Sequence, residues 1–198
     1  METFYHGTYR LFDHFDIAHL GEGEGKSKFG QGIYITSSYP TAALYAAKAG
    51  KANGVDTFYV YTLEVPDLTE DNHLFSCKPV NSDIAKRVEK ALGMKIPEEV
   101  KEAGKLFRKY VGNLKTGKTD SIKQMMGKAD AKAENAASTL LRDLGIIFLA
   151  WPQAQTNPNG DTNRAVLDST CIKIVRIDQV QVGAKNKLIL DSITEVKR

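Results

Sequence analysis

The chain begins with a group of residues whose side chains can bind a polar ligand. Tyr5-His6-Gly7-Thr8 places an imidazole and a hydroxyl on either side of a glycine. Gly30 and Gly32, further along the chain, allow φ > 0 or close backbone approach because they have no Cβ. Tyr34 and Tyr45 add two aromatic rings, eleven residues apart, around a second glycine-rich turn. Each feature alone is more often structural, since a lone histidine at a strand end or a tyrosine near a turn usually packs. On the residues alone, packing is therefore the stronger interpretation, and hydrogen bonding and stacking of a ligand is the functional alternative.

A second candidate group lies near the end of the chain, in Asp161-Thr162-Asn163-Arg164. The amide of Asn163 can hydrogen-bond a hydroxyl group, but it cannot take a proton as a general base. Asp161 can supply a carboxylate if its loop folds inward, and otherwise it is a turn residue in Asn159-Gly160-Asp161. Arg164 can pair with a phosphate group or lie on the surface.

The glycine-rich segment from Gly21 to Ser27 invites comparison with a phosphate-binding loop, because Gly-Lys-Ser closes it. That motif fixes the spacing between its glycines, and Leu20 stands where the first glycine would be. No strand-then-helix pattern surrounds the segment. The sequence therefore argues against a nucleoside-triphosphate site and favours a polar loop.

Local patterns predict the elements that would position the first group. Residues 2 to 8 alternate as a strand that ends near the histidine, and Ile33-Tyr34-Ile35-Thr36 is β-branched and aromatic, which is typical of a half-buried strand. Ser37 or Ser38 can cap the helix that follows, and Pro40 suits its first turn. Small alanines in this helix allow close approach, and the helix carries the second tyrosine.

The remaining chain predicts helices flanked by strands. A strong strand at 57–65 precedes a loop from Asp67 to Asn81, and strands return after Gly145. The predicted helices begin near Ser82, Pro97, Ile122 and Ala131; the predicted late strands cover 146–151, 164–168, 172–177 and 187–190, with a polar loop at 153–162. This order indicates an α+β fold rather than a wound parallel sheet.

Length and composition fit a single cytosolic domain. The 198 residues suffice for one core with an insertion, and no secretion signal or long apolar run is evident. Cys77 and Cys171 have neither metal-ligand spacing nor a disulfide framework, so free thiols are expected. The formal charge of +3 is too small to indicate nucleic-acid binding by itself.

The residues quoted above resemble two motifs of the ADP-ribosyltransferase superfamily, on its poly(ADP-ribose)-polymerase and diphtheria-toxin side. In that family a histidine followed by glycine and a hydroxyl residue ends the first strand; a Gly-x-Gly-Ile-Tyr strand follows, and a second tyrosine lies on the next helix. Leu140–Phe148 and Ala165–Asp168 resemble later elements, so the likeness covers roughly residues 2 to 66 and 134 to 190. The matching residues, in order, are His6, Gly7, Thr8, Tyr34 and Tyr45.

The resemblance implies a split β-sandwich around an NAD+ cleft, in one domain covering residues 1–198 with a basic helical insertion at 82–133. It also implies NAD+ as co-substrate and no metal. Cleaving the bond between nicotinamide and ribose passes through an oxocarbenium-like transition state, so catalysis depends on holding the ring and stabilising developing charge.

The resemblance also implies roles for individual residues. The backbone of Gly7 would bond the carboxamide, Tyr34 and Tyr45 would sandwich the nicotinamide, and His6 and Thr8 would hold the adenine-side ribose. The family's catalytic glutamate, five residues before the acidic end of its strand, is Asn163 here. Asp161 could supply the missing carboxylate, and Arg164 could pair with the diphosphate of NAD+ or with an acceptor phosphate. The implied catalytic set is therefore His6, Tyr34, Asn163 and Asp161.

Loss of that glutamate argues against chain elongation and favours transfer of a single ADP-ribose, in a compact bacterial or phage-like toxin or effector. The main alternative is a catalytically idle module that binds NAD+ or ADP-ribose. RNA 2′-phosphotransfer on the same fold would require a basic set near the first motif, for which only Arg10, Lys26 and Lys28 are available.

The acceptor is suggested only by charge. Between Ser82 and Ala133 there are 13 Lys or Arg against 7 Asp or Glu, which concentrates the positive charge in the helical block. Such a block can bind RNA or DNA through phosphates, although lysine-rich helical faces are often just solvated. It could instead dock a protein substrate or an antitoxin-like inhibitor. Nucleic acid is the favoured acceptor.

Overall fold

One mixed sheet of eight strands organises the molecule. The computed structural model describes residues 1–16, 31–118, 130–154, 157–183 and 187–196. The strand order across the sheet is β4-β5-β6-β2-β1-β3-β7-β8, and of these neighbours only β4 and β5 run parallel. The strands are β1 Glu2–Thr8, β2 Ile33–Thr36, β3 Phe58–Val65, β4 His73–Phe75, β5 Phe148–Ala154, β6 Asn157–Val166, β7 Lys173–Val180 and β8 Thr194–Glu195.

The sheet is weakly joined at its centre, between β1 and β2. β1 pairs with β3 along its whole length, and β2 pairs with β6 along its whole length. Between β1 and β2, in contrast, the ladder consists of one residue pair, Tyr5 with Thr36. We call this junction the seam. It divides the sheet into a half built on β4, β5, β6 and β2 and a half built on β1, β3, β7 and β8.

Helices cover one face of the sheet in two separate groups. The helices are α1 Tyr39–Ala52, α2 Ser82–Leu92, α3 Glu98–Lys101, α4 Gly104–Lys115 and α5 Ala131–Asp143. The alanine face of α1 packs on Phe58 and Val60 of β3. The helices α2 to α5 bury residues such as Ile84, Phe107 and Leu141 against β4, β5 and β6. The helical block is therefore part of the main core. No helix among the described residues is long and apolar enough to cross a membrane.

The opposite face carries a continuous apolar layer that crosses the seam. Phe4 of β1 and Tyr61 of β3 lie in the same cluster as Ile33 and Ile35 of β2 and Phe148 of β5. The two halves thus share a core on this face, whereas on the helical face their cores are distinct.

The structure confirms the α+β class and the local β1–β2–α1 predictions. Ser38 occupies the N-cap position of α1 with Pro40 in the first turn, although its side chain makes no capping bond. The predicted helix start at Ser82 is also found, but the cap is Asn81, whose side chain accepts a hydrogen bond from the Asp83 N–H.

Several boundaries differ from prediction, and each has a local cause. The run after Pro97 divides into α3 and α4 because the N–H groups of Gly104 and Lys105 donate to carbonyls of residues 78 and 76. The polar segment 153–162, predicted as a loop, is largely strand because β5 and β6 pair down to Ala154 and Asn157. The last predicted strand, 187–190, contributes only the bridge between Val182 and Leu188. The third predicted helix, near Ile122, and the segment Gly21–Ser27 lie outside the described residues.

Candidate functional site

A side-chain hydrogen bond spans the seam where the strands stop pairing. The Nδ1 atom of His6 lies 2.8 Å from the carbonyl oxygen of Tyr34. Because a carbonyl oxygen can only accept, Nδ1–H is the donor, and Nε2 of the neutral ring is left as an acceptor. The structure therefore brings His6 and Tyr34 together through the main chain of β2.

The imidazole of His6 lies among aromatic rings on the face of the continuous core. Its ring centroid is 5.1 Å from Phe15, in an edge-on arrangement, and 6.3 Å from Tyr61. The hydroxyl of Tyr61 accepts the N–H of Phe12 at 2.8 Å, which holds the chain after β1 against the sheet. Burial lowers the pKa of His6, and the bond to Tyr34 only partly opposes this effect. The ring is therefore neutral at pH 7.

Gly7 and Thr8, the residues after the histidine, complete β1. A Cβ at Gly7 would lie 1.7 Å from the carbonyl oxygen of Ala42, so only glycine lets α1 pack this closely on the strand. The group that approaches Gly7 closely is thus a helix, and the bond from its backbone to a carboxamide, which the resemblance implies, stays a prediction. The hydroxyl of Thr8 accepts the N–H of Arg10 at 3.1 Å.

Tyr34 and Tyr45 lie on the helical side of the molecule, one on β2 and the other on α1. The ring of Tyr34 is half-buried and meets Trp151 edge-on, with centroids 5.6 Å apart. Tyr45 is 54% exposed. The imidazole of His6 and the ring of Tyr34 are directed to opposite faces, so a ligand that contacts both must lie along the seam.

Asn163, Asp161 and Arg164, the three site residues predicted in β6, lie in three different environments. Asn163 is buried and pairs with Thr36 of β2. Tyr34 lies two residues before Thr36 and pairs with Ala165, so Asn163 and Tyr34 lie on the same face of the sheet. Asp161 is exposed and accepts the Ser37 hydroxyl at 3.1 Å, at the rim where β2 ends.

Arg164 occupies the opposite face from Asn163, as strand alternation requires. Its guanidinium is 3% exposed, pairs with Glu2 at 2.6 Å and stacks over Phe4 at 4.1 Å. Because the side chain is buried, a contact with a diphosphate would require the core around Arg164 to open. The ion pair and the ring contact thus give Arg164 a structural role in the continuous core.

Sequence reasoning missed a polar network at the end of β2. The Thr36 hydroxyl donates to Gln153 at 3.2 Å, and the Gln153 amide donates to the Thr41 hydroxyl at 2.9 Å. This network ties β2 to β5 and to the first turn of α1. No motif marks Gln153, because its segment has the composition of a loop.

A buried ion pair under Tyr34 was also missed. Arg108 of α4 and Glu134 of α5 are 2.8 Å apart, and each side chain is 3% exposed. Burial lowers the pKa of Arg108 and raises the pKa of Glu134, while the Tyr34 phenol interacts electrostatically with the guanidinium. The pair supports the helical side of Tyr34. The sequence did not indicate this ion pair, because most charged residues in helices face solvent.

Comparisons with known proteins give no matching family model, curated protein or solved structure. Among the described residues, no three His, Cys, Asp or Glu side chains converge as metal ligands would.

Proposed function

We propose that the protein is a mono-ADP-ribosyltransferase that moves ADP-ribose from NAD+ to a macromolecular acceptor and releases nicotinamide. The observation that carries the proposal is the His6–Tyr34 hydrogen bond across the seam. It joins the first two motifs of the resemblance at the point where β1 and β2 stop pairing.

The seam is suited to hold a planar carboxamide. Beyond Tyr5, the main chain of β1 has no ladder partner in β2, and a carboxamide carries the same donor and acceptor pair that a neighbouring strand would offer. Tyr34 lies beside this gap, and Tyr45 projects from the helix that packs on Gly7. Tyr34 and the main chain of β1 thus meet at the seam, with α1 packed on β1, and this arrangement supports nicotinamide binding.

The remaining residues account for the rest of the reaction. NAD+ supplies a glycosidic bond whose leaving group departs with the bonding electrons as neutral nicotinamide. Asn163 holds a ribose hydroxyl beside the developing charge, and Nε2 of His6 accepts a hydrogen bond from a second hydroxyl. The acceptor atom bonds to the anomeric carbon, and its proton passes to solvent or to the exposed carboxylate of Asp161. Since this step needs no strong base, an amide at position 163 is compatible with a single transfer.

The decisive experiment incubates the protein with NAD+ labelled in its adenylate half and with cell RNA, DNA and protein in separate reactions. We expect label in one acceptor fraction together with release of free nicotinamide. His6→Ala and Tyr34→Ala should reduce both, and Met94→Ala, which alters an exposed apolar side chain away from the seam, serves as the control.

A binding module for NAD+ or ADP-ribose is the second candidate, and it is favoured by the buried amide at Asn163 where the family has a carboxylate. Tight NAD+ binding with neither nicotinamide release nor label transfer would establish it and would exclude the transferase. As a toxin or effector, the protein would act on cellular macromolecules in the cytoplasm, and an antitoxin-like inhibitor would bind over the seam.

A further inference from the structure

Tyr34 is held by the helical half of the molecule as well as at the seam. Its ring packs, together with Trp151, against the core that α2 to α5 form on β4, β5 and β6. Its cross-strand neighbour on β6 is Ala165, whose single methyl group gives a tyrosine ring little to pack against. The position of the ring on this face therefore depends on Trp151 and on the helices.

Arg108 of α4 gives the hydroxyl end of Tyr34 a charged neighbour. Its guanidinium interacts electrostatically with the phenol. Arg108 and Trp151 line one small recess between α4 and β5, and the indole of Trp151 meets the Tyr34 ring edge-on, with centroids 5.6 Å apart. Glu134 of α5 lies 2.8 Å from the guanidinium, and each side chain of this ion pair is 3% exposed. Tyr34 is therefore contacted by an indole at its ring and by a fixed charge at its hydroxyl.

The helix that carries Glu134 also holds the main chain just before β2. The hydroxyl of Ser138 accepts the N–H of Gln31 at 3.0 Å. Glu134 and Ser138 are four residues apart and both are buried, so they lie on one face of α5. The same helix face thus fixes the chain that leads into Tyr34 and holds the charge at its hydroxyl.

Stability alone does not explain a buried ion pair at this place. Apolar side chains of the same size usually stabilise a core as well or better, because two charges must be removed from water to form the pair. A guanidinium, in contrast, attracts the partly negative oxygen of a phenol, and a contact with an ionised group is stronger than one between neutral groups. Arg108 can therefore orient Tyr34 in a way that no apolar side chain can.

We propose that Arg108, held by Glu134, is a positioning residue that fixes the Tyr34 ring for ligand binding at the seam. The helical block is then a part of the binding site, and not only a surface on which an acceptor could dock. That the ligand is NAD+ rests on the proposed function, whereas the orientation of Tyr34 by the ion pair rests on the side-chain contacts alone.

The test separates the orientation of Tyr34 from the stability of the core. Arg108→Met/Glu134→Leu removes both charges and keeps an apolar core, and thermal unfolding checks that the variant is folded. We expect its NAD+ affinity in calorimetry to fall about tenfold, the effect of losing one contact with a charged group. The control is Lys101→Met, which breaks an ion pair with Glu89 elsewhere in the helical block. It should lower stability and leave NAD+ affinity at the wild-type value.

Tyr34→Phe tests the same contact from the other side. It removes only the hydroxyl, so the ring and the ion pair both remain. If the guanidinium acts through this hydroxyl, Tyr34→Phe should lose affinity by the same factor as the apolar pair variant, and combining the two should cause no further loss. Losses that add up would overturn the proposal, and so would wild-type affinity in the folded apolar pair variant.

Trp151 gives a readout that needs no ligand, because it is the single tryptophan of the chain. Acrylamide quenching of its fluorescence should rise in the apolar pair variant and in Tyr34→Phe, since a less ordered Tyr34 ring shields the indole less, and it should stay unchanged in Lys101→Met. Unchanged quenching in both site variants would overturn the positioning role. If quenching rises as expected but the wild-type protein binds no NAD+, the proposed function fails and the positioning role stands. If NAD+ binds equally well with and without the charges, the positioning role fails alone.

Discussion

The Nδ1–H group of His6 donates to the carbonyl oxygen of Tyr34 at 2.8 Å, across the line where β1 and β2 are otherwise joined by one residue pair. The histidine side chain thus makes a contact between β1 and β2 where backbone hydrogen bonds between the two strands end. Its two ring nitrogens therefore differ: Nδ1 holds the fold, and Nε2 is the atom to which the proposed function assigns a ligand hydroxyl.

His6→Asn should separate these tasks. The asparagine amide can replace Nδ1–H as donor to Tyr34, but it has no equivalent of Nε2. We expect the free energy of unfolding to change by less than about 1 kcal/mol, with a clear loss of NAD+ affinity in calorimetry. His6→Leu removes both contacts and should lose stability as well. Wild-type NAD+ affinity in His6→Asn would contradict a ligand role for Nε2.

Burial of His6 predicts a pH dependence of stability. Its pKa is lowered in the folded state from an ordinary value of 6.5. Below pH 6.5 the unfolded chain therefore takes up a proton that the folded protein does not, and stability falls as pH decreases towards the folded pKa. The slope should not exceed about 1.4 kcal/mol per pH unit. Urea denaturation at a series of pH values below 6.5 measures this slope. If His6→Asn has a slope as steep as the wild type, another group causes the pH dependence.

Gly7→Ala should destabilise the protein by about 1–3 kcal/mol or more, because the new methyl group would overlap the Ala42 carbonyl and push α1 from the sheet. Thermal unfolding measures the effect. Gly183→Ala is the matched control, since the nearest atom to its Cβ is the flexible end of Ile189 at 3.3 Å. Equal losses in the two variants would show that α1 accommodates the methyl group.

Glu134→Gln should cost about 3–5 kcal/mol, since it leaves the buried charge of Arg108 without its counterion. Replacing the pair by apolar residues of similar size, Arg108→Met with Glu134→Leu, should restore most of this stability. Chemical denaturation of Glu134→Gln and of the double variant gives the comparison. A double variant no more stable than Glu134→Gln would show that the pair has a further function in the core.

The carboxylate of Glu89 should make the stability of the protein depend on pH in the acid range. Lys101, Lys95 and the Ile96 N–H lower its pKa from 4.5 to about 2. Its contribution is therefore complete above pH 4.5 and is lost as pH falls towards 2. Glu89→Gln should flatten the stability profile in this window, whereas Glu99→Gln, on an exposed side chain of α3, should not.

Tyr45→Ala should weaken NAD+ binding by about 1–3 kcal/mol, the contribution of stacking on one aromatic ring. Because Tyr45 is 54% exposed, its loss leaves the fold intact. Tyr45→Phe keeps the ring and should bind normally. Unchanged NAD+ affinity in Tyr45→Ala, measured by calorimetry, would show that α1 takes no part in the proposed pocket.

The sequence predicted elements whose causes are local and missed those decided by distant partners. β1, β2 and α1 were predicted from side-chain branching, a proline and alanines within each segment. The pairing of β5 with β6 was not predicted, because Gln153 and its neighbours have the composition of a loop and form a strand only through backbone hydrogen bonds to a partner strand. The position of Arg164 depends on the same pairing, which places alternate residues of β6 on opposite faces.

The seam has a mechanical consequence. On one face the apolar layer runs unbroken across it, whereas on the other α1 and α5 belong to different cores. A bend of the sheet about this continuous layer would move α1 and α5 apart, and only one ladder pair joins β1 to β2. Such a bend would widen the gap beside Tyr34 while breaking few backbone hydrogen bonds, which is how the proposed NAD+ site would open without unfolding a strand.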